Sequence, residues 1–230
     1  MVRICVRAII ATSARDDSSA RSPECDRDNR VCYRVKTFVK AVNKHLPQSI
    51  RINGVRRVAD GFSSRRNCIR RTYKYFFPLG NMDLGLMHEA SQYFVGNHNF
   101  QQFCKMDNRN PRNPNTTIYS FAVERYNDLL CVATVSGRAF LWHQVRCMVG
   151  VLFLVGEGAI SGIKIKELLE HPEGTKFNYK MAGPHGLILL DCGFDIPTEP
   201  RPAINCAVYQ EMLTDTLQTL GPLSLLAKGD

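Results

Sequence analysis

The chain lacks the marks of several large protein classes. It has no run of eighteen uncharged apolar residues, whereas a helical membrane span needs about twenty. Its richest run, Met148 to Ile163, is broken by Glu157 and four glycines. No transmembrane segment and no membrane partner are therefore expected. The nine cysteines are odd in number and scattered, with no C-x-x-C pair among them. That pattern gives neither a disulfide framework nor a zinc site, and it points to a reducing compartment. Each cysteine reads as a small core residue. The sequence also offers no metal-ligand cluster, no glycine-rich phosphate loop and no Ser-His-Asp spacing. No cofactor is expected.

Acidic residues are scarce where basic ones are dense. Between Arg34 and Tyr75 there are twelve basic residues, and Asp60 is the only acid. That balance of +11 exceeds the net charge of the whole chain, +9. A segment so charged repels itself unless it faces a polyanion, so RNA or DNA is the expected partner. The first fifteen residues carry Arg3, Arg7 and Arg15 and no acid, in the manner of a mitochondrial presequence. Asp16, Asp17, Glu24, Asp26 and Asp28 follow at once, so the expected location is the cytoplasm or nucleus.

At 230 residues and 44% hydrophobic, the chain can bury the core of one or two domains. Residues 1–33 are rich in Arg, Asp and Ser and are expected to be poorly ordered. The spacing predicts a helix over 34–46, with Val35, Phe38, Val39, Val42 and Leu46 on one face and Pro47 ending it. Ser49 to Val58 reads as a strand. Arg71 to Phe77 reads as another, with Arg71, Tyr73, Tyr75 and Phe77 on one face. A helix is expected over 84–95 with Gly96 as its stop, and a loop over Asn108 to Asn115. Thr116 to Tyr126 and Leu129 to Ser136 form a hairpin around Asn127-Asp128. Further helices follow from Val145 and over 162–170, then a strand over Gly186 to Phe194 and a tail from 197. This order fits an α+β fold, an antiparallel or mixed sheet with helices on one face.

Two features carry chemistry. Tyr73 and Tyr75 alternate with Arg71 and Lys74 beside Arg70, and tyrosine amid cations suits stacking on an unpaired base. The competing reading makes them core aromatics, more so for Tyr75 than for Tyr73. The second feature is Arg146. Val145, Met148, Val149, Leu152 and Phe153 form the apolar stripe of a buried helix, and Arg146 sits one residue off it near the helix start. A cation there opposes the helix dipole. It either snorkels to solvent or is held by a partner such as a carboxylate or phosphate.

Three segments together resemble the TruA family of tRNA pseudouridine synthases, in its order and spacing. They are Phe62-Ser-Ser-Arg65 with Arg71-Thr-Tyr73-Lys-Tyr75, Gly96-Asn-His-Asn-Phe100 with Phe103-Cys-Lys-Met-Asp107, and Phe140-Leu-Trp-His-Gln-Val-Arg146-Cys-Met-Val-Gly150. The Cys-Lys-Met-Asp and Leu-Trp-His-Gln-Val-Arg forms are most similar to the eukaryotic branch, which acts at positions 38/39 of the anticodon arm. The resemblance runs from about Val35 to Phe194. It implies a pseudouridine synthase core over 34–196, with 34–80 the remnant of an N-terminal half and 81–196 the C-terminal half, followed by a tail over 197–230. It implies a tRNA partner, a homodimer and an isomerisation without cofactor. The family's aspartate acts on the substrate, a tyrosine matched by Tyr73 stacks on the flipped uracil, and an arginine matched by Arg146 pairs with the aspartate. Arg65 falls on a substrate-contacting position, while Arg66, Arg70, Arg71 and Lys74 would meet the RNA.

The family's aspartate loop, Gly-Arg-Thr-Asp-x-Gly-Val-x-Ala, is missing. Its nearest counterpart is Arg15-Asp-Asp-Ser-Ser-Ala20, where Asp17 follows an arginine by two and precedes Tyr73 by 56 residues. The first thirty residues then read as a replaced start of a truncated enzyme. The alternative makes Asp17 a degenerate catalytic residue. The activity expected is uridine isomerisation by an aspartate with Tyr73 and Arg146. Its rivals are an inactive RNA-binding homologue and, last, a protein-binding scaffold that leaves the basic segment unexplained.

Overall fold

A computed structural model describes residues 3–4, 39–47, 50, 52, 58, 61–105 and 113–195. They divide into two compact units. The larger contains the described part of Ile69–Gly193 and the two-residue strand β1, Arg3–Ile4. The smaller contains described residues between 39 and Cys68, together with Phe194 and Asp195.

In the smaller unit residues 39–45 form helix α1. Val39 and Val42 are half-buried while Lys40 and Lys44 are exposed, as the period of the sequence requires. The Asn43 amide clasps Ile52, donating from Nδ2 to its carbonyl at 2.9 Å and accepting its N–H at 2.8 Å. Most of the strand expected over Ser49 to Val58 lies outside the described residues, and Ile50, Ile52 and Val58 are not in strand.

The larger unit is built on a sheet in the order β1-β6-β2-β5-β4-β3. Its strands are β2 (Cys68–Pro78), β3 (Gly96–Asn99), β4 (Asn115–Arg125), β5 (Leu130–Gly137) and β6 (Leu187–Phe194). β2 to β6 form a five-stranded antiparallel array, and β1 runs parallel beside β6. The expected hairpin forms, with Asn127 Oδ1 accepting the N–H groups of Leu129 and Leu130 to close the turn. Three helices complete the unit: α2 (Leu84–Ser91), α3 (Gln144–Gly156) and α4 (Ile163–Glu170). This is the α+β architecture expected from the sequence.

One face of the sheet carries the core. Tyr75 and Phe77 from β2, Ala133 and Val135 from β5, and Phe121 and Val123 from β4 pack with Met148, Val149 and Leu152 of α3. α3 is more enclosed than a single apolar stripe requires, because ten of its residues are buried. Two glycines explain the surplus. A Cβ at Gly156 would lie 2.7 Å from the Met87 sulfur, so that glycine lets α2 cross α3 closely. A Cβ at Gly150 would lie 2.4 Å from the Lys180 carbonyl oxygen, so that glycine seats residues 180–182 on the helix. Among the described cysteines, Cys68, Cys104, Cys131 and Cys147 are buried and Cys192 half-buried.

The helix expected over 84–95 stops sooner. α2 ends at Ser91, a 3-10 turn spans Gln92–Phe94, and Gly96 at φ +118° opens β3 instead of capping a helix. That strand has no apolar alternation to announce it. It forms because β4 offers an edge, pairing Gly96 with Ile118 and Asn99 with Asn115.

Candidate active site

The site is assembled where β2 meets the start of α3. Strand alternation puts Arg71, Tyr73, Tyr75 and Phe77 on the helix-bearing face, and Arg70, Thr72, Lys74 and Phe76 on the other. The Tyr73 ring stands edge-on to Phe140, with centroids 5.0 Å apart. Phe140 can lie there because Gly137 has no side chain; a Cβ would meet its ring at 3.1 Å. Arg71 donates from Nη1 to the Arg138 carbonyl at 3.1 Å and ties down the same loop. Tyr75 is 5% exposed, and its hydroxyl donates to the Gly183 carbonyl at 2.9 Å. It is a core aromatic, the competing reading of the sequence.

The entry into α3 is a tight turn. Gln144 N–H donates to the Leu141 carbonyl at 3.1 Å, and Leu141 N–H donates back to Gln144 Oε1 at 2.7 Å. His143, between them, has φ +62°, the left-handed region that non-glycine residues enter at a cost. Its Nδ1 is buried and has no partner among the described residues, and the same holds for Gln144 Nε2. This turn sets Arg146 in the first turn of the helix. Its Nε donates to the Ala182 carbonyl at 2.7 Å. No carboxylate pairs with it among the described residues. Its described partner is a main-chain oxygen, and Asp17, the carboxylate the resemblance would set against it, lies outside the described residues. A carbonyl dipole compensates a cation set against the helix dipole without a second charge.

The carbonyls of Ala182 and Gly183, consecutive in the chain, thus hold Arg146 and Tyr75 side by side. The electrostatics register the proximity. Burial pushes the Tyr75 phenol up to about 12, with the Arg146 charge opposing. Burial, then Arg146, then Lys105 hold the His143 imidazole below its ordinary value. Burial raises the Cys147 thiol against the pull of Lys176, Lys105 and Arg146. Cations converge on the start of α3.

The remaining expected site residues fall on other elements. Arg70 sits on the sheet's other face from Tyr73 and faces Asp191 at 3.5 Å. Lys74 shares that other face and is half-buried. Arg65 and Arg66 belong to an exposed turn of the smaller unit, closed by Asn67 N–H to the Ser63 carbonyl at 2.8 Å and Ser63 N–H to Asn67 Oδ1 at 2.8 Å. Asp17 lies outside the described residues. Sequence reasoning missed Ala182 and Gly183, since a main-chain carbonyl has no side-chain signature.

The profile of a family described as tRNA pseudouridine synthase matches residues 90–195. A tRNA pseudouridine(38/39) synthase of Bos taurus is 40% identical over 171 residues, 69% of this chain and 36% of that protein. The Homo sapiens protein of the same name gives the same figures. The chain therefore spans little more than a third of the length of these mammalian relatives. The tRNA pseudouridine synthase A of Methanoculleus marisnigri is 35% identical over 197 residues, 85% of this chain and 69% of that protein. With that coverage, and with the tyrosine strand and arginine helix joined through Ala182 and Gly183, the chain belongs to the TruA family of tRNA pseudouridine synthases.

Proposed function

We propose that this protein isomerises uridine to pseudouridine in the anticodon arm of tRNA. In that reaction the N1–C1′ bond of the nucleoside breaks and a C5–C1′ bond forms. C5 gives up a proton and N1 gains one, so the change is balanced without a redox step. The observation that carries the reading is the seating of Arg146. Its Nε is committed to Ala182, so an incoming carboxylate would meet the two terminal nitrogens end-on, in the planar fork that arginine offers. An arginine partner keeps a partly desolvated carboxylate ionised. Tyr73, braced by Phe140, offers its ring to a base taken out of its stack.

Asp17 is the carboxylate proposed for that position, and Arg65, Arg66 and Arg71 are proposed RNA contacts. Arg70 and Lys74, on the sheet's other face, would meet RNA only if it approached from that side. The names of the mammalian relatives support positions 38/39 as the target. A homodimer in the cytoplasm or nucleus completes the proposal. The test is incubation of the full chain with unmodified tRNA, followed by mapping of pseudouridine. Conversion at 38 or 39 is expected, and Asp17→Ala should abolish it. Absence of conversion at any protein dose would overturn the reading. Salt-sensitive tRNA binding without conversion would instead favour an inactive RNA-binding homologue.

A further inference from the structure

A recess of about 520 Å³ lies beside the arginine helix, lined by Gln101, Gln102, Lys105, Trp142, Gly174 and Lys176. That volume falls within the roughly 300–1,000 Å³ of small-ligand sites. Its walls are built rather than accidental. Gln102, 2% exposed, donates from Nε2 to the carbonyls of Pro172 and Gly174, and its Oε1 accepts Phe177 N–H. Tyr179 donates its hydroxyl to the Gln102 carbonyl at 2.8 Å. These four bonds fix the 172–179 loop against the 101–105 segment. Lys176 donates to the Cys104 carbonyl, which places its ammonium at the rim. Lys105 N–H donates to the Trp142 carbonyl at 3.0 Å, tying the lysine to the tryptophan.

Trp142 is the only tryptophan in the chain. It is 57% exposed, an unusual state for so large an apolar ring. It is not loose. Its indole stacks on His143 with centroids 4.6 Å apart and planes 29° apart, and the left-handed backbone of His143 turns the chain at that point. A left-handed non-glycine residue stacked against an exposed aromatic is the kind of backbone outlier that motivates a functional reading of the position. The recess lining contains two lysines and no acid, and both lysines act on Cys147 alongside Arg146. An aromatic platform beside a cationic rim is the pairing that takes a nucleotide, one element for the base and the other for the phosphate.

We infer that this recess is a nucleotide subsite, in which Trp142 stacks on an unpaired base and Lys105 and Lys176 meet the adjoining phosphate. The inference rests on the proposed action on tRNA and deepens it: an unpaired nucleotide other than the target uridine is gripped beside the arginine helix. Gln101 and the uncommitted edge of the recess would meet the base's polar atoms.

The lone tryptophan reports on its own site. The full chain is titrated with an unmodified anticodon stem-loop RNA while Trp142 emission is followed, with pseudouridine formation in tRNA measured in parallel. Two controls of equal length are a fully duplex RNA and an abasic ribose-phosphate strand. Quenching by the stem-loop, and by neither control, is expected. Trp142→Ala should raise the Kd for the stem-loop about 5- to 150-fold, the range of one lost base stack. Lys105→Gln, which changes an exposed lining side chain and leaves the main-chain bond to Trp142 in place, should raise it several-fold and flatten the salt dependence. Equal quenching by the duplex or the abasic strand overturns the subsite. So does conversion of tRNA with unchanged Trp142 emission, and in that case the proposed function stands. If tRNA neither binds nor is converted, both fall.

Discussion

Arg146 and Ala182 are bonded twice over: the arginine Nε donates to the Ala182 carbonyl at 2.7 Å, and Ala182 N–H donates to the Arg146 carbonyl at 3.1 Å. The reciprocal pair fixes both ends of the arginine, main chain and guanidinium, to one extended segment. A lysine has no planar fork, so it cannot hold Ala182 and orient a carboxylate together. Arg146→Lys should therefore fold but lose about 10²- to 10³-fold in the rate of pseudouridine formation, as expected when one oriented charge is removed from a site. Its affinity for tRNA should change little. Single-turnover kinetics with a parallel binding assay checks both, and an unaltered rate would remove Arg146 from the site.

Gly150 governs the same geometry from the far side. A methyl group there would sit 2.4 Å from the Lys180 oxygen, 3.1 Å from Ala182 N and 3.3 Å from Met181 Cα. All three are main-chain atoms, which cannot rotate away as a side-chain tip can. Gly150→Ala should lower stability by about 1–3 kcal/mol, the usual range for overpacking. It should also slow catalysis beyond what unfolding removes, because the displaced segment carries the carbonyl that holds Arg146. Thermal unfolding and the rate measured well below Tm separate the two effects.

Much of this arrangement was legible in the sequence, and the remainder was not for definite reasons. The stripe Val145, Met148, Val149, Leu152 drew α3 because a buried helix must repeat near 3.6 residues. Asn127-Asp128 drew the hairpin because its turn chemistry is local. β3 stayed hidden: Gly96-Asn-His-Asn has no alternation, and the strand exists only because β4 pairs with it. Tyr73 and Lys74 sit together in sequence yet on opposite faces of the sheet, and sequence proximity alone grouped them as one RNA contact. Gln102 staples a loop some seventy residues away, and nothing near it in sequence announces that partner.

Tyr75 gives the fold a predictable alkaline limit. Its phenol ionises at about 12 in the folded chain, against 10.0 for an ordinary tyrosine. As pH rises the unfolded chain loses this proton first. The stabilisation is complete below pH 10.0, falls as pH climbs, and is gone above about 12. At 1.36 kcal/mol per unit, the loss is on the order of 2–3 kcal/mol. Tyr75→Phe should be less stable near neutrality by about 1 kcal/mol, for the lost bond to Gly183. It should lack this alkaline component, so the two unfolding curves should converge or cross above pH 10. A constant gap across the range would place Tyr75 in contact with water.

The sheet's two faces make separable predictions about RNA. Arg71 lies on the face that carries Tyr73 and braces the 138–140 loop. Arg70 lies on the other face, with Asp191 opposing its charge at 3.5 Å. Each lysine or arginine that neutralises a phosphate adds about 0.7–0.9 to the slope of log affinity against log salt. If RNA approaches the Tyr73 face, Arg71→Gln should reduce that slope by nearly one unit, whereas Arg70→Gln should leave it almost unchanged. Losing Arg70 would instead cost stability, by at most about 1 kcal/mol for a half-exposed pair. Binding of unmodified tRNA over a salt series, with Tm measured for each variant, reads both quantities. A slope that falls with Arg70 and not with Arg71 would move the RNA to the opposite face and separate Tyr73 from the base it is proposed to stack upon.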